Sequence, residues 1–580
     1  MAHANRSHGY WKKIESLFTT RVKLFLLVLF IYCLSIHFTL QGPNPTSRFL
    51  LTKSIVERGV FWFPEEYKEQ YWLEPDYAQI DDKLYSDKAP GLSFLAIPFF
   101  ILGKTIGPLI PFDLQPYSSY YPDNDIFAVI GIQIGLILLA AVGILRLYDT
   151  SRLMGVSERS SILAGLITAF ATPYWVYART MFAHVPAGVF LISSLFYILK
   201  YREERKYHQL ILAGVFSGFG FTLEFPMLFT IPWISVLLLF PIIQTEYPWK
   251  KRISALILYG FITVVCTIPL FYYNLTNFGN ITANALSFSH WADNVHLLEP
   301  VHEGLSILLL SNDRGLIYFA PIVLFGLLGL FFASRRYPLE STVIMSLILV
   351  FIIFYAKKWE SHGGAAFGPR YIVPILLLVG LGFGWVLENI EGSILKQGAM
   401  LAVGAWSFIS SSLGALYSVL IFSPIGEGDP IFDEALTRLI IWDANAPILR
   451  QFPVMFVTLS LFALAIFITG TLTTSSTESN IPKDKTDYER VEAYSIFVWG
   501  NFLFIVAYFT QLCYILSSTY IKEWEKNTGE IFFRELPPSD LWIIIICMIL
   551  ALHSLWVIYR LYSSQITDLS QRIVQRMKKW

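Results

Sequence analysis

The chain has little charge and little cysteine for its length. Of its 580 residues only 15% are charged, whereas 55% are hydrophobic and 16% are aromatic. An ordinary soluble protein carries about 25% charged residues, so a string of soluble domains is excluded. The 43 basic and 43 acidic residues cancel, which excludes a generic nucleic-acid binder. The composition predicts an all-α polytopic membrane protein.

The four cysteines all fall inside apolar runs and have no second cysteine or histidine at zinc-binding spacing. The sequence therefore predicts neither a disulfide framework nor a metal site. We expect no cofactor, with a divalent metal left open. The cysteines are Cys33, Cys266, Cys513 and Cys547.

Apolar runs long enough to cross a bilayer recur along almost the whole chain. The first follows Arg21 and Lys23 without a small-residue cleavage pattern, which is typical of a retained signal anchor. We predict about fourteen spans, at 22–41, 126–148, 160–178, 182–200, 209–225, 227–243, 253–273, 316–333, 340–356, 371–388, 398–421, 453–472, 494–518 and 541–561.

The distribution of Lys and Arg orients these spans, because both residues concentrate in cytoplasmic loops. The apolar stretch 91–108 is interrupted by prolines and a lysine. If it does not cross, and the N-terminus is inside, cytoplasmic segments carry 26 of the 43 basic residues. If it did cross, the basic segments 200–206 and 250–252 would face outward. We therefore predict that 91–108 is a juxtamembrane or re-entrant segment on the exterior side and that both termini are cytoplasmic.

The exterior loops predicted in this way are unequal. The first, 41–125, is long and rich in acidic and aromatic residues, and others lie at 274–315, 357–370, 422–452 and 519–540. The cytoplasmic segment 473–485 is polar and of low complexity, which is typical of a flexible linker. No internal repeat of the kind found in many transporters is evident.

A first polar cluster, Tyr85-Ser-Asp-Lys-Ala-Pro-Gly91, opens the juxtamembrane segment. Asp87 can act as a general base, and Lys88 can hold an anionic group such as a phosphate. The alternative is an exposed Asp-Lys pair before a Pro-Gly turn.

A second cluster lies where two spans meet on the exterior side. Arg179 can clamp a phosphate, and His184 lies about one turn into the membrane, where a structural histidine is the alternative. Glu224 lies at the exterior end of its span. Because an unpaired carboxylate is costly there, it must pair, protonate or face a watery cavity.

Two further clusters precede the spans at 316 and 371. Asn312-Asp-Arg-Gly315 forms one, and Trp359-Glu-Ser-His-Gly-Gly364 with Phe367-Gly-Pro-Arg-Tyr371 forms the other. Arg370 can grip two phosphate oxygens at once. The residues that we predict to contact substrate are Tyr85, His184, Asp313, Arg314, Trp359, His362 and Tyr371.

With these residues assembled, the chain resembles the GT-C superfamily of membrane glycosyltransferases, most closely the protein-mannosyltransferase and aminoarabinose-transferase type. The Tyr85 to Pro90 motif matches the motif that ends their large first exterior loop. The resemblance covers roughly residues 20–390, which predicts a catalytic module at 1–390 and additional membrane helices at 391–580. It also implies that Lys88 meets the donor phosphate and that Asp87 lies near the reacting centre.

One departure concerns the catalytic base. Many members carry an acidic residue shortly after the first span, where this chain has Gln41-Gly-Pro-Asn-Pro-Thr-Ser-Arg48. Asp87 is the preferred base, and the Asp81–Asp82 pair, with Asp82 as its candidate, and Glu224 are alternatives.

The resemblance implies an inverting transfer of a sugar from a polyprenyl-phosphate donor to an acceptor hydroxyl of a lipid, glycan or protein. Lys88, Arg179 and Arg370 would hold the phosphate at the exterior face, in the plasma membrane of a prokaryote. The alternatives are a transporter or lipid flippase, and a polysaccharide polymerase or ligase.

Overall fold

The computed structural model describes residues 19–416, apart from 38, 72, 110–124, 241–247, 284, 293–296, 298 and 391–393, together with residue 419. The chain separates into two compact units, 1–451 and 452–580. The predicted spans after 421, the loops 422–452 and 519–540, the linker, Cys513 and Cys547 lie outside the described residues. The predicted division at residue 390 stays a prediction.

The described part is mainly helical. The longer helices are α1 Thr20–Leu34, α2 Pro43–Arg58, α3 Gly91–Ile106, α4 Asp125–Leu153, α5 Glu158–Phe170, α6 His184–Glu204, α7 Tyr207–Leu223, α8 Thr230–Leu239, α9 Trp249–Phe278, α10 Val323–Ala333, α11 Pro338–Ala356, α12 Leu376–Ile390 and α13 Ile394–Leu416. Short helical turns lie at Tyr67–Gln70, Gly107–Leu109, Tyr174–Tyr177, Phe225–Phe229, Ala285–Phe288, Val301–Leu305, Ser306–Leu310, Leu316–Phe319 and Arg370–Ile375. A small antiparallel hairpin pairs β1 Ala78–Ile80 with β2 Lys83–Tyr85, Ala78 opposite Tyr85.

Seven described helical segments are long and apolar enough to cross a membrane: Gly91–Leu109, Asp125–Leu153, His184–Glu204, Trp249–Phe278, Pro338–Ala356, Arg370–Ile390 and Lys396–Leu416. The protein is therefore an integral membrane protein of mainly helical architecture. The number fourteen and the placement of loops stay predictions. The stretch 91–108 is a helix, and its exterior placement is likewise a prediction.

Four predicted spans are not single continuous α-helices. The helix over 160–178 stops at Phe170, and the spans over 227–243, 316–333 and 371–388 begin with short turns that give way to α8, α10 and α12. A proline lies in or next to each of these turns, namely Pro173, Pro226, Pro321 and Pro374. Because proline lacks the backbone N–H that continues a helix and clashes with the preceding turn, each breaks the regular hydrogen bonding.

The first loop packs as a folded unit against the helices. Its core contains the buried residues Phe49, Leu73, Leu84 and Phe100. Two hydrogen bonds fasten α2 to α3: Ser93 Oγ donates to the carbonyl of Arg48 at 2.9 Å, and Thr52 Oγ1 donates to the carbonyl of Ser93 at 3.1 Å. These two helices are therefore fixed to each other next to Arg48.

A buried charge network joins this loop to the start of α4. The carboxylate of Asp125, which is fully buried, lies 2.9 Å from Lys53 Nζ and 2.5 Å from Lys104 Nζ. It also accepts a hydrogen bond from Tyr71 Oη at 2.6 Å, and Glu57 pairs with both lysines. One carboxylate therefore holds α2, α3 and the loop on α4.

We expect Asp125→Asn to lower the free energy of unfolding by about 3 kcal/mol, because removing one partner of a buried ion pair leaves uncompensated charge. Thermal unfolding in detergent measures this change. Glu57→Gln is the matched control, since Glu57 is about one-third exposed and its pairing is screened by water. Equal melting temperatures for both variants would contradict the role given to Asp125.

Candidate active site

The centre of the candidate site is the turn between β2 and α3. Asp87 is only 3% exposed, and its Oδ2 lies 2.6 Å from Lys88 Nζ. Lys88 Nζ also lies 3.1 Å from Asp76 Oδ1. Ser47 Oγ, from α2, lies 3.4 Å from Asp87 Oδ1. Asp87 is thus buried and Lys88 is half-buried, with its side chain 14% exposed, so the predicted Asp-Lys pair is held within the first loop rather than lying exposed in a turn.

Close packing of Gly91 positions this turn. A Cβ added at Gly91 would lie 2.3 Å from Thr222 Oγ1 and 2.5 Å from the Thr222 carbonyl carbon. Only glycine therefore allows the start of α3 to approach the end of α7 so closely. As a result, Asp87 and Lys88 lie near Glu224, which follows α7.

Burial and pairing change the acidity of both groups in the turn. Burial raises the pKa of Asp87 to about 6, while the neighbouring Lys88 acts in the opposite direction. Burial alone would lower the pKa of Lys88, but the carboxylates of Asp76 and Asp87 outweigh it and the pKa is raised. At neutral pH the pair is a carboxylate beside an ammonium, and the carboxylate has the acidity suited to a general base.

A second charged group lies between α2, α6 and the end of α7 and is centred on the carboxylate of Glu224. Arg48 Nη2 lies 3.6 Å from Glu224 Oε1, and His184 Nδ1 lies 3.5 Å from the same oxygen. Arg48 also donates to Asn44 Oδ1. The structure therefore pairs Glu224, as the cost of an unpaired carboxylate at membrane depth requires.

Sequence reasoning did not predict Arg48 as a site residue, nor did it predict Asp76, Lys358 and Glu360. Arg48 lies among apolar neighbours in the run Arg48-Phe-Leu-Leu51 of α2 and is only 4% exposed. Burying a guanidinium requires a partner, but no local sequence signal marks Arg48, because α2 also carries other charged residues such as Lys53.

The loop 357–370 supplies the third group of charges. Arg370 Nη2 donates to Tyr371 Oη at 3.3 Å and lies 3.9 Å from Glu360 Oε2, which accepts from Tyr371 Oη at 3.0 Å. Lys358 Nζ also donates to Tyr371 Oη. Burial would raise the pKa of Glu360, but Arg370 and Lys358 outweigh it and the pKa is lowered. Glu360 is therefore ionised and neutralises part of this cationic group.

Backbone conformation brings the loop onto Arg370. Gly363 and Gly364 have φ values of +77° and +65°, in the left-handed region that favours glycine. A Cβ added at Gly363 would lie 3.0 Å from Arg370 Cγ. The Gly-Gly pair therefore allows the loop to close over the arginine stem.

Arg48 connects these groups into one site. It interacts electrostatically with Glu224 and Asp87, its two strongest charged neighbours, and then with Arg370 and Asp76. The combined set contains four cations and four carboxylates, namely Arg48, Lys88, Lys358 and Arg370 with Asp76, Asp87, Glu224 and Glu360. Such a set can hold an anion on its cations while a carboxylate accepts a proton.

Several predicted site residues make other contacts. Arg179 Nη2 donates to the carbonyl of Ala415 at 2.6 Å, and its Nη1 donates to Gln41 Oε1 at 3.1 Å. These contacts fit a structural tie between the first span and α13. Gln41 is thus engaged by Arg179, and its Nε2 also lies 2.6 Å from His37 Nδ1.

The remaining predicted residues differ in their burial and in the groups that they contact. Asp313 pairs with the fully buried Arg314, whose Nε donates to the Gly364 carbonyl at 3.3 Å. His362 Nδ1 accepts from Gly364 N at 2.9 Å. Asp82 is exposed at the hairpin turn, and Tyr85 packs its ring 5.6 Å from Phe278. The ring of Tyr371 lies 5.9 Å from that of His184.

Within the described segments, no group of three or more His, Cys, Asp or Glu side chains is arranged to hold a metal ion. The expectation that the protein needs no cofactor stays a prediction.

Comparison with known proteins bears on the domain that contains the Asp87–Lys88 turn. Residues 74–283 match the family model described as dolichyl-phosphate-mannose-protein mannosyltransferase. This segment is a mannosyltransferase-family domain. The resemblance predicted from the Tyr85 to Pro90 motif is thereby confirmed for this segment, and the description of the matching family names a mannosyltransferase.

Among curated proteins, the MFS-type transporter gkaD of Penicillium citrinum is 24% identical over 271 residues, which cover 43% of this chain and 44% of that protein. The chain thus spans less than half the length of this relative.

Among solved structures, the chain is similar to ArnT from Cupriavidus metallidurans bound to undecaprenyl phosphate, with 14% identity, a TM-score of 0.48, and coverage of 83% of this chain and 75% of ArnT. It is also similar to the archaeal oligosaccharyltransferase AglB from Archaeoglobus fulgidus in complex with an inhibitory peptide and a dolichol-phosphate. That likeness has 12% identity and a TM-score of 0.40, covering 75% of this chain and 59% of AglB.

The mannosyltransferase-family domain contains only part of the charged site. Asp76, Asp87, Lys88 and Glu224 lie within residues 74–283, whereas Arg48 precedes them and the loop 357–370 follows. The folded chain therefore completes the site of this domain with cations from outside it.

Proposed function

We propose that this protein is a membrane glycosyltransferase that moves a sugar from a polyprenyl-phosphate donor to an acceptor hydroxyl of a lipid, a glycan or a protein. The observation that carries the proposal is the Asp87–Lys88 pair inside the mannosyltransferase-family domain. Arg48 couples this pair electrostatically to Glu224 and Arg370. The set supplies both a base and cations for a phosphate leaving group.

The proposed reaction is a single displacement at the anomeric carbon. The acceptor oxygen forms a bond to that carbon, while the bond from the carbon to the phosphate oxygen breaks and its electron pair leaves with the prenyl phosphate. Asp87 takes the hydroxyl proton. Attack from the face opposite the leaving group inverts the anomeric configuration.

The cations of the site stabilise the charge that develops on the phosphate. Lys88 Nζ is held between two carboxylates at 2.6 and 3.1 Å, and Arg370 is held by Tyr371 and Glu360. Because these groups are already oriented before substrate arrives, they need little reorganisation during the reaction. The positive-inside distribution of Lys and Arg supports a site on the exterior face and cytoplasmic termini.

The test uses the purified full chain in lipid nanodiscs with tritiated dolichyl-phosphate-mannose, and in parallel with undecaprenyl-phosphate-linked aminoarabinose and glucose. Total membrane extract supplies acceptors. We expect one donor to be consumed, with release of the free prenyl phosphate and labelling of an acceptor. Intact donors in every reaction would reject the proposal. In sealed vesicles of known orientation, donor consumption from the cytoplasmic leaflet alone would reject the exterior site.

The curated relative supports a second candidate, a membrane transporter, because its name describes one. The same vesicles distinguish the two functions. A transporter or flippase moves labelled lipid between leaflets without breaking the sugar–phosphate bond, whereas the transferase breaks it. A polymerase or ligase acting on diphosphate-linked glycans would leave the monophosphate donors intact.

The pKa of Asp87 predicts the pH dependence of turnover. Because the base must be ionised, we expect the rate to rise as pH increases through about 6, the pKa of this buried carboxyl, and to fall about tenfold for each unit below it. The measurement is a pH profile of donor consumption at saturating donor.

The contribution of Asp87 to folding stability falls as pH rises, whereas the expected rate increases. Folding raises the pKa of Asp87 from 3.8, so its contribution to stability is fully present below pH 3.8 and is lost as pH rises through about 6. Loss of activity at pH 5 is therefore expected without unfolding caused by Asp87. A flat rate between pH 5 and 8 would contradict the assignment of Asp87 as base.

A further inference from the structure

Two tryptophans lie beside the charged site and face each other. Trp291 follows the helical turn Ala285–Phe288, and Trp359 follows the end of α11. Their rings are 5.5 Å apart between centroids and tilted by 34°, and both residues are half-buried. The pair therefore forms a partly open aromatic surface rather than a closed core contact.

Backbone contacts hold both tryptophans in place. Ser289, two residues before Trp291, forms a β-bridge with Ala78 of β1. On the other side, Glu299 N donates to the Lys357 carbonyl at 3.3 Å, two residues before Trp359. Segments distant in sequence thus converge on this pair, which limits the conformational entropy lost when a ligand binds.

Asp76 links the aromatic pair to the proposed phosphate site. Trp291 Nε1 donates to Asp76 Oδ1 at 3.2 Å, and Lys88 Nζ lies 3.1 Å from the same oxygen. The indole nitrogen of Trp291 and the ammonium nitrogen of Lys88 are therefore no farther apart than the sum of these two distances. A group attached directly to a phosphate held by Lys88 reaches the aromatic pair.

The polar atoms around the pair suit a polyhydroxylated ring. Trp359 Nε1 is buried and makes no hydrogen bond to the described residues, and such a donor is costly unless a ligand accepts from it. Lys358 Nζ lies 5.2 Å from the Trp359 ring centroid. Within the described part of the chain, the hydrogen bonds of Asp76 go to Oδ1, which leaves Oδ2 for a hydroxyl donor.

A pyranose has these two complementary properties. Its C–H face is apolar and packs on an aromatic ring, while its rim carries hydroxyl donors and acceptors. An aromatic surface with polar atoms at its edge binds such a ring by burial of the C–H face and by the hydrogen bonds at the rim.

We propose that Trp291 and Trp359 form the subsite that binds the sugar of the polyprenyl-phosphate donor, with Asp76 aligning Trp291 and Lys88 against the same substrate. The assignment rests on the proposed glycosyltransferase function and adds the residues that contact the sugar. Trp359 binds one face of the pyranose, and its indole N–H donates to a ring hydroxyl.

The test compares two ligands that differ only in the sugar: dolichyl phosphate and dolichyl-phosphate-mannose, each bound to the full chain in nanodiscs. For Trp291→Ala and Trp359→Ala we expect affinity for the mannosyl lipid to fall about tenfold, because the C–H face of the sugar loses the aromatic surface on which it packs. Affinity for bare dolichyl phosphate should change less than about twofold.

Conservative variants and a control keep the result interpretable if an alanine variant misfolds. Trp359→Tyr retains a ring and a donor and should recover most of the affinity for the mannosyl lipid. Trp62→Ala removes a half-buried tryptophan of the first loop that packs against Arg58 at 4.2 Å, away from the site, and should leave both affinities unchanged. Thermal unfolding of each variant in detergent reports its folding.

The outcomes separate the two proposals. If wild type binds bare dolichyl phosphate but the tryptophan variants lose affinity for both lipids equally, or for neither, the sugar subsite is wrong and the glycosyltransferase function is unaffected. If wild type binds both lipids with equal affinity, the sugar subsite is also wrong. If wild type binds neither lipid, nor the other prenyl-phosphate sugars of the turnover assay, the proposed function fails and the subsite with it.

Discussion

Asp87→Asn is expected to lower donor turnover by about 10²- to 10⁴-fold, the usual contribution of a positioned general base. Donor binding should be largely unchanged. The amide keeps the shape of the carboxylate but cannot accept the acceptor proton. Lys88 keeps a charged partner in this variant, because Asp76 Oδ1 lies 3.1 Å from its Nζ. The phosphate-binding ammonium therefore stays in place.

Glu224→Gln is expected to be the next most damaging substitution, because Glu224 is the carboxylate that interacts most strongly with Arg48 and pairs with it at 3.6 Å. Its loss leaves a buried guanidinium without its carboxylate. Asp82→Asn should retain turnover, since Asp82 is exposed at the hairpin turn. Single-turnover rates and donor affinities of the three variants measure the order of these effects.

Two outcomes would contradict Asp87 as the base. A wild-type rate in Asp87→Asn together with an inactive Glu224→Gln would move the base to Glu224. Full activity in both variants would refute the carboxylate-base mechanism.

Neutralising the phosphate-binding cations has the second large expected effect. Lys88→Gln and Arg370→Gln should each weaken binding of dolichyl phosphate by about 2 kcal/mol, a factor of about 30, since each removes a charge-assisted hydrogen bond in a poorly hydrated site. Glutamine keeps a hydrogen-bond donor, so the change isolates the charge. Lys83→Gln is the matched control, because Lys83 is exposed in the same hairpin. Equilibrium binding of the radiolabelled lipid measures all three.

Arg179 is the third cation that the sequence predicts to hold the phosphate. Because it also contacts the Ala415 carbonyl and Gln41, we expect it to contribute to stability as well. Arg179→Gln should lower thermal stability as well as donor affinity. A fall in melting temperature with unchanged affinity would remove Arg179 from the phosphate site. Normal donor affinity in all three cation variants, Lys88→Gln, Arg179→Gln and Arg370→Gln, would reject the phosphate-binding proposal as a whole.

The sequence by itself determined that this is a membrane protein and identified the Tyr85 to Pro90 motif. Long apolar runs predict membrane helices because the bilayer core demands about twenty apolar residues per span. The Tyr85 to Pro90 motif is contiguous, so its resemblance to mannosyltransferases was visible without a fold, and the family match includes it. Hydropathy could not find the breaks at Pro173, Pro226 and Pro321, because apolar composition continues through them.

The tertiary structure decided which charged residues meet. Arg48 has no charged partner nearby in sequence, and only the tertiary packing of α2 places it 3.6 Å from Glu224 and within electrostatic range of Asp87. Trp291 and Asp76 are 215 positions apart, and their hydrogen bond has no signature in local sequence. Spacing along a chain specifies which residues share a turn or a helix face. Contacts between distant segments depend on how the helices pack, and here that packing assembles the candidate site.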